Sequence, residues 1–366
     1  CTVTAATDTQ SRNLVRRSRR LNPHCRIVVT GCYAQVKPQI WADFPGVFLV
    51  LGNEEKSSLL ACLAEGGAEG RVRVSDIRAA CSGLSLASHP VTDRSRAYVQ
   101  IQNGCDAFCT YCIIPFARGA SRSLAPEKVL AEAAALTGQG FSEIVLTGIH
   151  IGCYGRDLVP STSLFDLVCR LEKETSVPRI RLGSIEPQEL TCPLIDAMAA
   201  SERLCSHFHI PLQSGDDDVL KRMGRPYGRD FFRDLVNRIH ATIADAGIGV
   251  DVIAGFPGES EREFRHTWEL IESLPVSYLH VFPYSRRPGT AAAAMKNQLP
   301  AALVKERAAL LRQLGESKKR SFYRRFLGRR LRVVVEGEKK GGMHRGLSGN
   351  FLPVYFPCDN HRAKEI

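Results

Sequence analysis

The segment Gln102-Asn103-Gly104-Cys105-Asp106-Ala107-Phe108-Cys109-Thr110-Tyr111-Cys112-Ile113-Ile114-Pro115-Phe116-Ala117-Arg118-Gly119 decides how the rest of the chain reads. Cys105, Cys109 and Cys112 stand in a C-x3-C-x2-C spacing directly after Ala97–Ile101, which reads as a short strand. A loop carrying three thiolates so close together can wrap one soft metal centre. A closed structural site asks for four protein ligands, so three leave one position for a substrate or cofactor. Two other readings stay open: three buried thiols that happen to be neighbours, and a zinc site completed by a distant fourth ligand.

Outward from this loop the chain alternates strand and helix. Strands are expected at Ala97–Ile101, Glu143–Thr147, Arg179–Ser184, His207–Leu212, Val250–Gly255 and Tyr278–Pro283, with helices between them. The first helix opens at Pro126-Glu127, Pro suiting the first helical position. Six such units predict parallel strands with crossover helices, in a barrel or an open sheet, with the chemistry at the carboxyl ends of the strands. Upstream, a helix over Asp8–Leu21, strands at Arg26–Thr30 and Pro45–Leu51 and a helix over Glu54–Ala64 make a small α/β unit. Residues 66–90, rich in Gly, Ala and Ser, read as a linker. Downstream, a long basic helix runs from Pro300 to about Phe326. Strands at Arg330–Glu336 and Phe351–Phe356, with turns at Gly341-Gly342 and Ser348-Gly349-Asn350, then suggest a small β-barrel.

Composition narrows the partners. The 366 residues are 44% apolar and 24% charged, enough for two or three packed domains. No apolar run is long enough to span a membrane. Thirteen cysteines are too few for a disulfide scaffold of this length, so their clustering points to metal or redox chemistry. The net charge is +11, and fourteen Lys/Arg against four Asp/Glu fall between Lys305 and Arg345. A second basic group, Arg12, Arg16, Arg17, Arg19 and Arg20, lies near the start. Such runs can be plain solvated faces, but this concentration favours an anionic partner, RNA above all. A membrane surface is disfavoured, because the stretch has no Trp/Phe/Leu-rich apolar face. The chain opens Cys1-Thr2-Val3-Thr4 without Met and stops at Ile366 inside a strand-rich stretch, so it reads as a fragment cut at both ends.

The C-x3-C-x2-C loop, with Tyr111 before its last cysteine, resembles the signature of the radical S-adenosylmethionine enzymes. The resemblance implies that Cys105, Cys109 and Cys112 hold a 4Fe-4S cluster whose open iron takes S-adenosylmethionine. Cys1-Thr2-Val3-Thr4 and Thr30-Gly31-Cys32-Tyr33-Ala34-Gln35 resemble the cysteine motifs of the methylthiotransferases within that superfamily, which carry a second 4Fe-4S cluster. Cys1 and Cys32 match two of its ligands, and the third is expected upstream of the chain. Leu146-Thr147-Gly148-Ile149-His150-Ile151-Gly152-Cys153-Tyr154-Gly155, Arg181–Pro187 and Arg222–Tyr227 look most like the branch acting on N6-threonylcarbamoyladenosine in tRNA. Asp251–Glu259 is shared more widely in the family, and the closing module resembles its RNA-binding TRAM barrel.

The resemblance implies an α/β fold. It comprises a methylthiotransferase domain at 1–65, a linker at 66–90, a partial (β/α)6 TIM-like radical domain at 91–300, a basic helix at 301–328 and a TRAM-like module at 329–366. It implies a transferase that adds a methylthio group to carbon 2 of the adenine, next to the anticodon. That inert C–H is beyond any side-chain base but within reach of an alkyl radical. Candidate S-adenosylmethionine contacts are Tyr111, Thr147, Gly148, Ser184, Glu186, Gln213 and Asp251, all in the loop or at strand ends, where each could equally serve a turn or cap. Lys318, Lys319, Arg320, Arg324, Arg325, Arg329, Arg330 and Arg332 are candidates for the anticodon stem-loop. The expected setting is the cytoplasm, away from membranes, with an electron donor such as flavodoxin or ferredoxin and an unidentified sulfur source. Cys62, Cys81, Cys169, Cys192, Cys205 and Cys358 read as structural, and Cys153 as ambiguous. The same chemistry on isopentenyladenosine or on a ribosomal-protein aspartate is the nearest alternative. A non-catalytic, zinc-containing RNA-binding protein is the alternative of another class.

Overall fold

The computed structural model describes residues 1–65, 71–79, 95–340 and 342–357, side chains excepted at 337–340. Most of the expected linker, together with Cys81 and Cys358, lies outside them. The chain divides into two compact units: Cys1–Gly83 with Asn103–Ser121 and Ser285–Lys296, and Leu84–Gln102 with Arg122–Tyr284 and Asn297–Ile366.

In the first unit, α1 (Ala5–Leu21) starts three residues before its expected position. The reason is a capping box in which the Thr4 side chain accepts from the Thr7 backbone N–H while Thr7 reaches back to Thr4. Parallel strands β1 (Ile27–Thr30), β2 (Val47–Leu51) and β3 (Arg71–Arg73) form its sheet, β2 fully buried in the centre. β3 falls inside the stretch expected to be linker. Three residues with two arginines make a short, charged edge strand that shows no hydrophobic alternation. Short helices α2 (Cys32–Val36), α3 (Pro38–Ala42) and α4 (Leu59–Ala64) complete the layer around Trp41, Tyr33 and Val50.

The second unit carries the six expected parallel strands: β4 (Arg96–Gln100), β7 (Glu143–Thr147), β8 (Arg179–Leu182), β9 (His207–Gln213), β10 (Gly247–Ala254) and β11 (Tyr278–Pro283). The two-residue strands β5 (Gln102–Asn103) and β6 (Arg122–Ser123) bracket the cysteine loop in the chain. Sheets β4-β7-β8 and β9-β10-β11 are joined by parallel bridges at Ile180–Leu204 and Ser184–His209, giving one six-stranded arc. Its helices are α6 (Pro126–Gly138), α7 (Leu164–Glu174), α8 (Cys192–Ala200), α9 (Asp217–Met223), α10 (Arg229–Thr242), α11 (Glu261–Ser273) and α13 (Ala301–Arg324). The remaining two, α5 (Ile114–Arg118) and α12 (Ala291–Ala294), belong to the first unit.

The strand alternation separates two environments. Val99, Ile144, Leu146, Ile180, Leu182, Phe208, Ile210, Ile248, Val250 and Val252 share one core with the helices. Most of the polar residues stand at the intervening positions: Glu143, Arg179, Arg181, His207, His209 and Asp251. Buried on both faces, β7, β8, β9 and β10 read as apolar runs interrupted by charge, as expected of a covered parallel sheet with a polar inner wall, while the edge strands β4 and β11 are partly exposed.

After α13 come antiparallel strands β12 (Val333–Lys340), β13 (Met343–Ser348) and β14 (Pro353–Phe356). The last strand starts two residues later than expected because Phe351 sits in the turn with φ +67°. That turn meets the amino ends of the barrel strands. The Phe351 ring stacks on His207 at 4.4 Å, and Asn350 Nδ2 donates to the Asp245 carbonyl at 3.0 Å. Arg181 donates to the carbonyls of Ser348 and Gly349 at 3.0 and 2.9 Å, and Arg179 to that of Leu347 at 3.1 Å. Among the described residues no helix is long and apolar enough to cross a membrane.

Candidate functional site

Backbone geometry that only glycine tolerates shapes the cysteine loop. At Gly104, with φ +78°, a Cβ would lie 1.8 Å from the Ala120 carbonyl oxygen. The Cys105 N–H donates to the Gly119 carbonyl at 3.0 Å, closing the loop at its base, and the Cys112 N–H donates to the Cys109 carbonyl at 2.9 Å, folding the C-x2-C half into a turn. The Ala107 N–H points at Cys105 Sγ, 3.5 Å away. All three cysteines are half-buried thiols, and Tyr111 lies in the turn between the last two. A donor set of three thiolates on one closed loop fits a soft metal cluster.

Cys32 begins α2 in the same unit and is buried. Arg118, at the end of α5, directs its Nε–H at Cys32 Sγ, 3.1 Å away. This contact fixes the direction in which the Cys32 sulfur points. Cys1 is exposed, but its neighbour is anchored: buried Thr2 donates to Asp8 at 2.9 Å, and Arg287 bonds both Thr2 (2.7 Å) and Asp8 (2.6 Å). A cleft of about 420 Å³ opens in this unit, lined by Gln35, Lys37, Ile77, Ile113, Phe116 and Gly289 among others. The helix that starts at Cys32 and the helix that follows Cys112 both contribute to its walls.

In the second unit Thr147, Gly148, Ser184, Glu186 and Gln213 fall at the carboxyl side of the arc, whereas Asp251, expected at a strand end, lies within β10. Thr147 closes β7, and at Gly148 a Cβ would lie 2.8 Å from the Gln102 carbonyl. Gln102 was not among the sequence candidates, yet its buried Oε1 accepts the N–H groups of Ile149 and His150 at 3.0 and 2.8 Å and sets the loop after β7. Ser184 is exposed and bridges to His209, and Glu186 pairs with buried Arg225. Gln213 ends β9 with φ +64°.

Asp251 is engaged from both sides: His209 Nε2 lies 2.7 Å and His280 Nδ1 3.2 Å from its Oδ1. Burial pushes the Asp251 carboxyl up, but these hydrogen bonds outweigh it and hold it at about 2. Glu259, at the far end of the same motif, was also missed. It accepts from the Gly255 N–H (3.1 Å) and from buried Arg307 (2.7 Å), and so shapes the Phe-Pro-Gly turn. A glutamate ending a glycine-rich turn was its available signal.

The eight basic candidates divide. Lys318 donates to the carbonyls of Glu272 and, at 2.7 Å, Leu274, and burial lowers its pKa. Lys319 lies 3.7 Å from Glu316, while Arg325 and Arg329 both pair with Asp245. Arg320, Arg324, Arg330 and Arg332 are exposed, and none forms an ion pair among the described residues. Of the cysteines read as structural, Cys62 and Cys205 are buried, burial pushing the Cys205 thiol up, whereas Cys169 and Cys192 are exposed.

Residues 99–271 match the Radical SAM superfamily, and residues 1–52 match the family described as Uncharacterized protein family UPF0004. The chain is 39% identical to the threonylcarbamoyladenosine tRNA methylthiotransferase MtaB of Aquifex aeolicus, over 97% of this chain and 85% of that one. It is 40% identical to MtaB of Bacillus subtilis, over 97% and 80%. It is 35% identical to the tRNA-2-methylthio-N(6)-dimethylallyladenosine synthase of Pelotomaculum thermopropionicum, over 90% and 74%. The solved structure of the radical S-adenosylmethionine methyltransferase TsrM from Kitasatospora setae shares the fold, with a TM-score of 0.55 at 19% identity over 76% of this chain and 59% of that one.

Proposed function

The chain belongs to the radical S-adenosylmethionine methylthiotransferases that modify tRNA, and on that premise we propose that its substrate is N6-threonylcarbamoyladenosine next to the anticodon, methylthiolated at carbon 2. One observation carries the choice of base. Relatives named for threonylcarbamoyladenosine span 34–40% identity over 97–98% of the chain, the upper three at 38–40%, whereas those named for dimethylallyladenosine span 33–35% over 90–94%. The enzyme uses S-adenosylmethionine and two 4Fe-4S clusters, which together supply the 5′-deoxyadenosyl radical, the sulfur and the methyl group.

The protein's own residues hold and orient these parts. Cys105, Cys109 and Cys112 hold the radical cluster, and Cys1 and Cys32 hold two corners of the auxiliary one. Arg118 orients the Cys32 sulfur through a 3.1 Å hydrogen bond. Tyr111, Thr147, Gly148, Ser184, Glu186, Gln213 and Asp251 contact S-adenosylmethionine. The ionised Asp251, steadied by two imidazoles, suits a hydroxyl or ammonium donor. The cleft flanked by α2 and α5 receives the target base. Residues 1–65 act as the methylthiotransferase domain, 91–300 as the radical domain and 329–366 as the TRAM-like module. Arg320, Arg324, Arg330 and Arg332, with their unpaired charges, grip the anticodon stem-loop. The reaction runs in the cytoplasm, with electrons from a flavodoxin or ferredoxin.

The test is nucleoside mass spectrometry. The reconstituted chain is incubated with reductant, S-adenosylmethionine and either threonylcarbamoyladenosine-bearing or dimethylallyladenosine-bearing tRNA. Methylthiolation of the first alone supports the proposal, and methylthiolation of the second alone would transfer it to the sister branch. Cys105→Ala is expected to abolish both.

A further inference from the structure

The geometry points to a second kind of metal site: His150, Cys153 and Glu189 form a three-ligand zinc site at the carboxyl ends of β7 and β8, separate from the cluster cysteines. His150 and Cys153 belong to the 3-10 turn after β7, and Glu189 closes the 3-10 turn Pro187–Glu189 after β8. His150 Nε2 lies 3.0 Å and Cys153 Sγ 3.1 Å from Glu189 Oε1, and Cys153 Sγ lies 3.6 Å from the imidazole nitrogens. Zinc bonds of about 2.0–2.3 Å at tetrahedral angles place ligand atoms roughly 3.3–3.6 Å apart. The three atoms already stand within a few tenths of an ångström of that triangle.

The donor set selects the ion. One thiolate, one imidazole and one carboxylate suit a borderline divalent metal such as zinc, whereas magnesium and calcium require mostly oxygen. Thiolate and carboxylate together neutralise a double positive charge, and three protein ligands leave one position for water. A second observation points the same way. The Glu189 side chain is 5% exposed, and its Oε2 is buried without a hydrogen-bond partner among the described residues. A buried carboxylate oxygen lacking a donor is costly, and a bound cation would remove that cost.

The local sequence makes room for this carboxylate. At residue 152 a Cβ would fall 1.8 Å from Glu189 Oε2, so only Gly152 lets the glutamate enter. Gln102 fixes the backbone at His150 through the 2.8 Å bond to its N–H. Arg156, with its side chain 66% exposed and 3.5 Å from Glu189 Oε1, is free to swing into solvent when a cation arrives.

The test uses the full chain with its clusters reconstituted, exposed to zinc chloride and then passed over a weak chelating resin. The expected result is one retained zinc per chain, with zinc-edge X-ray absorption showing one sulfur among nitrogen and oxygen ligands. Cys153→Ser, which preserves shape, and Glu189→Gln should each lose the zinc while iron content and circular dichroism stay unchanged. Should Glu189→Gln fail to fold, His150→Gln replaces it. Equal zinc in wild type and variants would overturn the proposal, as would an absorption spectrum with three or four sulfurs, which would place the zinc on the cluster cysteines.

Discussion

Replacing Glu143 by glutamine tests whether the inner wall of the barrel holds the C-terminal strands in place. Glu143 is completely buried at the start of β7 and accepts a bidentate pair from Arg181 (2.8 and 3.1 Å) and a bond from Arg179 (2.7 Å). The same two guanidiniums cap the carbonyls of Leu347, Ser348 and Gly349. Glutamine keeps the shape but removes the charge, leaving two buried cations with no carboxylate between them. Breaking a buried pair from one side costs about 3–5 kcal/mol. For a unit of this size each kcal/mol moves the melting temperature by about 2–4 °C, so Glu143→Gln should lower it by about 6–20 °C. The assay is thermal unfolding by circular dichroism with urea titration in parallel, and Asp230→Asn is the control. Asp230 pairs with Arg233 in the open, where both side chains are about half exposed or more, so its loss should cost well under about 1 kcal/mol. A Glu143→Gln shift no larger than the control's would refute the reasoning and make the carbonyl contacts of Arg179 and Arg181 sufficient alone.

Three further outcomes are expected. With Arg320, Arg324, Arg330 and Arg332 meeting phosphates, log K for an anticodon stem-loop should fall with log salt at a slope near −3. Arg330→Ala/Arg332→Ala should flatten it by about 1.5, whereas Lys318→Ala should lower stability and leave the slope unchanged. Burial, reinforced by Arg181, holds the His207 imidazole well below its ordinary range, so the unfolded chain binds a proton that the folded chain refuses. This contribution to stability is full above about pH 6.5 and declines as pH falls below it, by at most about 1.4 kcal/mol per pH unit. Urea midpoints of wild type and His207→Gln should therefore diverge between pH 7 and 5, and parallel lines would remove His207 as the cause. Finally, Arg118→Leu deletes the hydrogen bond to Cys32 Sγ and should lower the reduction potential of the auxiliary cluster, since hydrogen bonds to sulfur raise it. The comparison is a potentiometric titration followed by electron paramagnetic resonance, in which the radical cluster serves as the internal reference.

Much of the fold was legible in local pattern. The six barrel strands are short apolar runs bounded by turn residues, and their observed limits differ from the expected ones by at most three residues at either end. Where limits moved, a particular side chain or dihedral moved them. Thr4 and Thr7 started α1 early, and the positive φ of Phe351 delayed the last strand. The C-x3-C-x2-C spacing needed no tertiary information, because three ligands within eight residues meet wherever the loop closes. Gln102, Glu259 and Arg118 were missed for the opposite reason. Gln102 and Arg118 act on groups 47 or more residues away, and Glu259, though it closes a local turn at Gly255, is fixed by Arg307, 48 residues on.

The sequence by itself determined what depends on neighbours along the chain: the strand and helix rhythm, the cysteine loop, the concentration of positive charge and the motifs that identify the family. Tertiary structure decided which charges remain available and which residues meet across distance. Lys318 reads as one more cation in a basic run, but it is spent on the carbonyls at the end of α11, and Arg307 is buried against Glu259. Cys153 reads as ambiguous until β7 and β8 lie side by side and bring Glu189, thirty-six residues away, to 3.1 Å. The physical reason is one of range. Backbone preference and hydrophobic period act over a few residues and are written locally, whereas hydrogen bonds and ion pairs act over about 3 Å of space. Only the folded chain brings their partners within that distance.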